Sequence, residues 1–173
     1  YQAAVKFHAD VVVRLTGDCP LIDPVLIDEV VEALWAQDAD FACNRLPPPF
    51  HRTYPIGLDV EACTFAALQR AWREATEKHD REHVLPYLYE VKDRFKVVQL
   101  NHSQDLGEMR WTLDTPEDYV LLKEIIKRLQ DRNDFSWLDV LELFRQDPAL
   151  SAINGAVKHK SMFDVENRKV KET

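Results

Sequence analysis

The sequence is short of cysteine and glycine, has no unbroken apolar stretch and carries no basic excess. Its three cysteines, Cys19, Cys43 and Cys63, contain no C-x-x-C pair. That argues against a disulfide framework or a zinc ribbon and for reduced thiols in the cytoplasm. Only four glycines occur, and neither a G-x-G-x-x-G nor a P-loop is present. No apolar run approaches the ~20 residues that span a bilayer, so no membrane partner is expected. The opening Tyr1-Gln2-Ala3-Ala4 lacks the basic-then-apolar order of a secretory leader. A net charge of −8 argues against a general binder of nucleic-acid polymers but does not exclude a nucleotide held through magnesium.

What is present reads as one globular domain. The 173 residues are 46% hydrophobic and 30% charged, enough to bury a core without staples. Residues 10–15 predict a strand, and the consecutive Val11, Val12 and Val13 suit one covered on both faces, as in parallel sheets. Asp23-Pro24 caps and opens a helix with Val25, Leu26, Ile27, Val30, Val31, Leu34 and Trp35 on its apolar face. Phe41-Ala42-Cys43 follows as a strand, completing a βαβ unit. Residues 44–57 are irregular. They carry Pro47-Pro48-Pro49 and the polar Asn44, Arg45, His51, Arg52 and Tyr54, and are either a ligand-gripping loop or a solvated flap. Residues 57–63 predict a strand with Asp59 and Glu61 on its polar face. Thr64 caps a helix bearing Phe65, Leu68, Ala71 and Trp72.

Further on, residues 80–91 predict a helix, 95–100 a strand, and 106–109 lead into a strand that ends at Asp114. Thr115-Pro116-Glu117-Asp118 opens a helix to about Leu129, with Tyr119, Leu122, Ile125, Ile126 and Leu129 buried. Ser136 caps another, and a mobile tail is expected after about Lys160. All four tryptophans, Trp35, Trp72, Trp111 and Trp137, fall on core faces.

Asp18 and Asp114 follow strands, where ligands of open α/β sheets gather. Two such carboxylates suit magnesium, which takes few protein oxygens and completes its shell with water and phosphate. Each acid alone also suits a turn. Arg14 and Arg110 flank the acids and either bind phosphate or pair with neighbouring carboxylates. His79 and His83 have the i, i+4 spacing of a zinc site, but no third ligand is evident and Pro86 disturbs the helix, so a zinc hydrolase is the weaker reading.

Four motifs occur in order: Val13-Arg14-Leu15-Thr16-Gly17-Asp18-Cys19-Pro20-Leu21-Ile22-Asp23-Pro24, Tyr54-Pro55-Ile56-Gly57-Leu58-Asp59-Val60-Glu61, Arg81-Glu82-His83-Val84-Leu85-Pro86-Tyr87, and Leu113-Asp114-Thr115-Pro116-Glu117-Asp118. Together they resemble the spore coat polysaccharide biosynthesis protein F family. These are cytidylyltransferases related to the CMP-sialate and CMP-Kdo synthetases. The resemblance implies a three-layer α/β/α sandwich with a mostly parallel sheet over residues 1–158, with 159–173 as tail. It implies transfer of CMP from CTP to a sugar, Mg2+ on the catalytic Asp18 and Asp114, and an acceptor side lined by Asp59, Glu61, Arg81, Glu82 and His83. Arg14, Thr16, Asn44, Arg45, Tyr54 and Arg110, read from the residues themselves, complete the expected substrate contacts. The family's N-terminal strand and Gly-rich loop have no counterpart. The chain reads as starting roughly ninety residues late, past the loop that binds nucleotide phosphates. That leaves an incomplete sheet whose open edge invites a homo-oligomer, or a non-catalytic domain that binds a sugar or a partner.

Overall fold

A computed structural model of the chain describes residues 1–158 except 131 and 133. The expected tail lies outside the described residues. Strands β1 (Val11–Arg14), β2 (Phe41–Cys43), β3 (Glu61–Thr64) and β4 (Val97–Gln99) form a sheet in the order β1-β3-β2-β4. β1, β2 and β4 run one way, and β3 runs antiparallel to both of its neighbours. Helix α2 (Pro24–Ala36) makes the βαβ connection from β1 to β2, with β3 inserted between its two strands.

Successive strand residues alternate between two cores, as the period of a pleated strand requires. Val11, Val13, Ala42, Ala62 and Val98 face one core with α2, α6 (Pro116–Arg128), α7 (Trp137–Gln146) and α8 (Leu150–Asn154). Val12, Phe41, Cys43, Cys63 and Val97 face the other with α1 (Gln2–Lys6), α3 (Phe65–Glu74) and α5 (Pro86–Tyr89). The result is the three-layer sandwich. Leu26, Val30 and Leu34 of α2 are fully buried, each stabilising the fold by about 1.5–3 kcal/mol.

Local signals set the helix starts. Thr64 caps α3, and Thr115 and Ser136 each form a capping box on α6 and α7. Asp23 does more than cap α2. One carboxylate oxygen accepts from the Val25 N–H and the other from the Trp137 N–H, both at 2.8 Å, stapling α2 to α7.

Several expectations are corrected. Trp35 (58% exposed), Trp72 (43%), Tyr119 (59%) and Ile126 (41%) lie outside the cores, because the buried stripe of each helix is narrower than its apolar face. The helix expected over 80–91 is broken into α4 (Lys78–His83) and α5 by Val84, whose φ is 72°. Leu85 keeps right-handed helical angles as the N-cap of α5, and Pro86 takes the first helical position, where its missing N–H costs nothing. Residues 106–114 form no named strand: a single parallel bridge joins Arg110 to Ile56. β3 begins only at Glu61.

Asp23→Ala should destabilise the chain by about 2–4 kcal/mol, since it removes a cap and strands the buried Trp137 N–H. Urea unfolding measures this, and Asp23→Asn should recover only part of the loss, since its one amide oxygen can accept from Val25 or Trp137 but its NH2 cannot accept from the other.

Candidate active site

The sheet's topology puts the carboxyl ends of β1, β2 and β4 on one edge, where Arg14, Glu61 and Cys43 are in register. Beyond that edge lies a cavity of about 200 Å³. Two segments form its floor. The exit of β1 carries Asp18, whose backbone carbonyl accepts from the Leu113 N–H (2.9 Å) and the Thr112 hydroxyl (3.0 Å). These bonds tie it to the segment that carries Asp114. Gly57 lets a third segment approach. At φ +103 it presents no side chain to the Trp111–Thr112 backbone, and an added Cβ would lie 2.5 Å from the Thr112 nitrogen.

Asp114 is positioned from behind by Asp118, which is fully buried. Asp118 accepts five hydrogen bonds: two from the Arg110 guanidinium at 2.9 and 2.8 Å, one from the Asn154 amide at 2.8 Å, and one each from the Asp114 and Thr115 N–H. Burial raises the Asp118 carboxyl. The bonds from Arg110, Asn154 and the backbone outweigh that and hold it well below the usual carboxylate range. Arg110 also reaches Asp114, 2.6 Å from Nη2 to Oδ2.

Of the residues expected at the site, Asp18, Asp114, Arg14, Thr16, Arg45, Asp59, Glu61 and His83 line this one cavity. Five do not. Asn44 is fully buried and bonds the Leu58 carbonyl (2.6 Å) and the Val60 N–H (2.9 Å), so it staples the loop to the approach of β3. Tyr54 is in the core, its ring 5.7 Å from that of Trp137. Arg81 stacks over Trp72, Glu82 is exposed, and Arg110 is committed to Asp114 and Asp118. Ile56, Gly57, Tyr89 and Thr112 line the cavity without having been expected there. Three of them sit within three residues of an expected acid or tyrosine, which is the signal that could have found them. Tyr89 had none.

Charge in the cavity is largely compensated. Arg14 pairs with Glu61 at 2.6 Å. Asp59 takes a two-pronged bond from Arg52, at 2.6 and 3.0 Å, with Arg45 3.6 Å away. Asp18 has the Cys19 thiol at 3.7 Å from Oδ1. Burial pushes that thiol up to about 11, so Cys19 is a neutral neighbour at pH 7 and not a nucleophile. Burial, with the Glu61 charge adding, keeps the Tyr89 phenol protonated. All three cysteines are free and buried.

Elsewhere, His79, Asp80 and Glu90 form a group whose nitrogen and carboxylate oxygens lie within 4.8 Å of one another and could coordinate a divalent metal. Among the described residues, no helix is long and apolar enough to cross a membrane.

The sheet, its flanking layers and an acid-lined cavity at the strand ends define an α/β/α sandwich of the kind found in cytidylyltransferases. The chain matches the structure of a cytidylyltransferase from Leptospira borgpetersenii serovar Hardjo-bovis with a TM-score of 0.78 and 34% identity, over 86% of this chain and 61% of that one. A cytidylyltransferase family model matches residues 1–147, and the chain belongs to that family. It is 36% identical over 168 residues to the uncharacterized protein MJ1063 of Methanocaldococcus jannaschii, covering 96% of this chain and 66% of that protein. It is 28% identical over 141 residues to the spore coat polysaccharide biosynthesis protein SpsF of Bacillus subtilis, covering 80% of this chain and 56% of that protein. The chain thus spans 56–66% of the length of these curated relatives.

Asp118→Asn should cost about 3–5 kcal/mol at pH 7, because it leaves the buried Arg110 charge under-compensated. Folding lowers the Asp118 carboxyl below its unfolded value of about 4, so its contribution is complete above that pH and drains away as pH falls. The gap between wild type and variant in urea unfolding should therefore narrow below about pH 4.

Proposed function

We propose that this chain forms the metal- and acceptor-binding part of a cytidylyltransferase that transfers CMP from CTP to a sugar used in surface polysaccharide synthesis. The observation that carries this reading is the meeting of Asp18 and Asp114 on one cavity, through hydrogen-bonded segments, at the carboxyl edge of the sheet. In the reaction a sugar oxygen attacks the α-phosphorus, and the bond to the departing pyrophosphate breaks.

The donor set fits magnesium: two hard carboxylates, one beside a neutral thiol and the other 45% exposed with a single oxygen held by Arg110. Bound at Asp18 and Asp114, the ion supplies charge neutralisation for the phosphate oxygens. The chain's own groups do the rest. Arg14 and Arg45 offer guanidinium donors to phosphate or to the sugar. Asp59 and Glu61, already oriented by arginines, accept from sugar hydroxyls. The protonated Tyr89 hydroxyl donates, and His83 closes the same wall. The polysaccharide role is supported by the name of the Bacillus relative.

Titrating this chain calorimetrically with CTP, with and without magnesium, tests the reading. Magnesium-dependent binding is expected, weakened at least about tenfold in Asp18→Ala, a loss of about 1.4 kcal/mol or more. Unchanged binding in that variant refutes the metal assignment. Absence of CTP binding favours a non-catalytic domain that binds a sugar or a partner chain.

A further inference from the structure

Helices α4 and α5 form a short hairpin folded on the left-handed Val84. Its inner side supplies His83 and Tyr89 to the cavity. Its two ends meet behind that wall, where His79 Nε2 lies 2.7 Å from Glu90 Oε1 with both side chains more than nine-tenths buried. Asp80 brings a second carboxylate to the same point, all three donor atoms lying within 4.8 Å. The ring of His83 is 4.9 Å from that of His79. The next basic residue, Arg81, is drawn off over Trp72, bonding its carbonyl at 2.9 Å.

We propose that His79, Asp80 and Glu90 hold one borderline divalent cation of the zinc type, which clasps the hairpin and fixes the cavity wall that His83 and Tyr89 form. The donor chemistry selects the ion. An imidazole nitrogen suits zinc or cobalt over magnesium, and two carboxylates neutralise the charge. His79 Nε2 and Glu90 Oε1 stand at hydrogen-bond distance, so the ion takes the place of the shared proton and the two atoms part to about 3.4 Å, the spacing of two tetrahedral ligands at about 2.1 Å. Asp80 must close in from a spacing of no more than 4.8 Å to complete a shell with metal–ligand distances of about 2.1 Å. The site is structural and separate from the acid pair of the cavity. It is therefore not the zinc hydrolase that the histidine spacing suggests, and it does not depend on the transfer reaction proposed above.

The test is titration of the metal-stripped chain with Zn2+ by calorimetry and with Co2+ by visible absorption. With excess Mg2+ present throughout to fill the acid pair of the cavity, one equivalent of each should still bind, undisplaced by the Mg2+. Asp80→Asn, at a partly exposed position, should keep the fold by circular dichroism and weaken binding about tenfold or more. His79→Gln should abolish the cobalt spectrum, and Asp18→Asn should leave it unchanged. Should His79→Gln fail to fold, imidazole NMR of the wild type replaces it, with zinc expected to shift the His79 ring signals at one equivalent. The proposal is overturned by the absence of stoichiometric binding, by binding that survives Asp80→Asn undiminished, by unmoved His79 signals, or by binding lost in Asp18→Asn.

Discussion

The geometry of the cavity floor depends on one buried ion pair, Arg110 with Asp118. A buried carboxylate is tolerable only when its oxygens are fully bonded and its charge is matched. Both conditions are met here by groups from three places: the bridge segment at Arg110, the first turn of α6, and Asn154 at the end of α8. Because Asn154 also bonds the Arg110 carbonyl at 3.0 Å, the chain's last described helix is locked to the same point. Asp118 is thus an N-terminal capping residue, a counter-ion and a bracket for the Asp114 backbone at once.

The Pro-rich loop is fixed by the same kind of bond. Arg52 clasps Asp59 with both prongs of its guanidinium, a pairing that sets orientation as well as distance. Asn44 anchors the loop's start, and Tyr54 with Trp137 its far side. An irregular segment becomes a cavity wall without regular hydrogen bonding, and Arg45, Ile56 and Gly57 reach the cavity from it.

Features encoded in neighbouring residues were legible in the sequence. The Asp23-Pro24 start and the capping boxes at Thr115 and Ser136 are each decided within a turn, and each stands as read. The valine run does give strand β1, but as a half-buried edge strand antiparallel to its one neighbour β3, not a fully covered strand within a parallel sheet. Features decided by distant partners were not. The reversed direction of β3 depends on which strands it meets, which alternation cannot state. Asn44 has the side chain of a ligand binder, but its amide is consumed by backbone groups fourteen and sixteen residues on. Arg110 is open, in the sequence, between binding phosphate and pairing with a nearby acid, and the helix start eight residues later decides it by supplying Asp118. Trp35 and Trp72 show the limit of counting apolar positions, since a helix on a sheet covers only the stripe it touches. The pairing of Asp18 with Asp114 is suggested by their places after strands and reinforced by four motifs in order, but their arrival on one cavity depends on the fold.

The strands are short, three or four residues each, so hydrogen bonding alone discriminates poorly between neighbouring alignments. Side-chain size sharpens the choice. Ala42 lies opposite Ala62 beneath α2, while the large Phe41 points to the other core beside Cys63. A slip of one residue would drive a phenyl ring into the space two methyl groups occupy and leave a void on the far side. The alternation of bulk along β2 therefore acts as a key for strand alignment, and pairings out of register are rejected by volume as well as by hydrogen bonding.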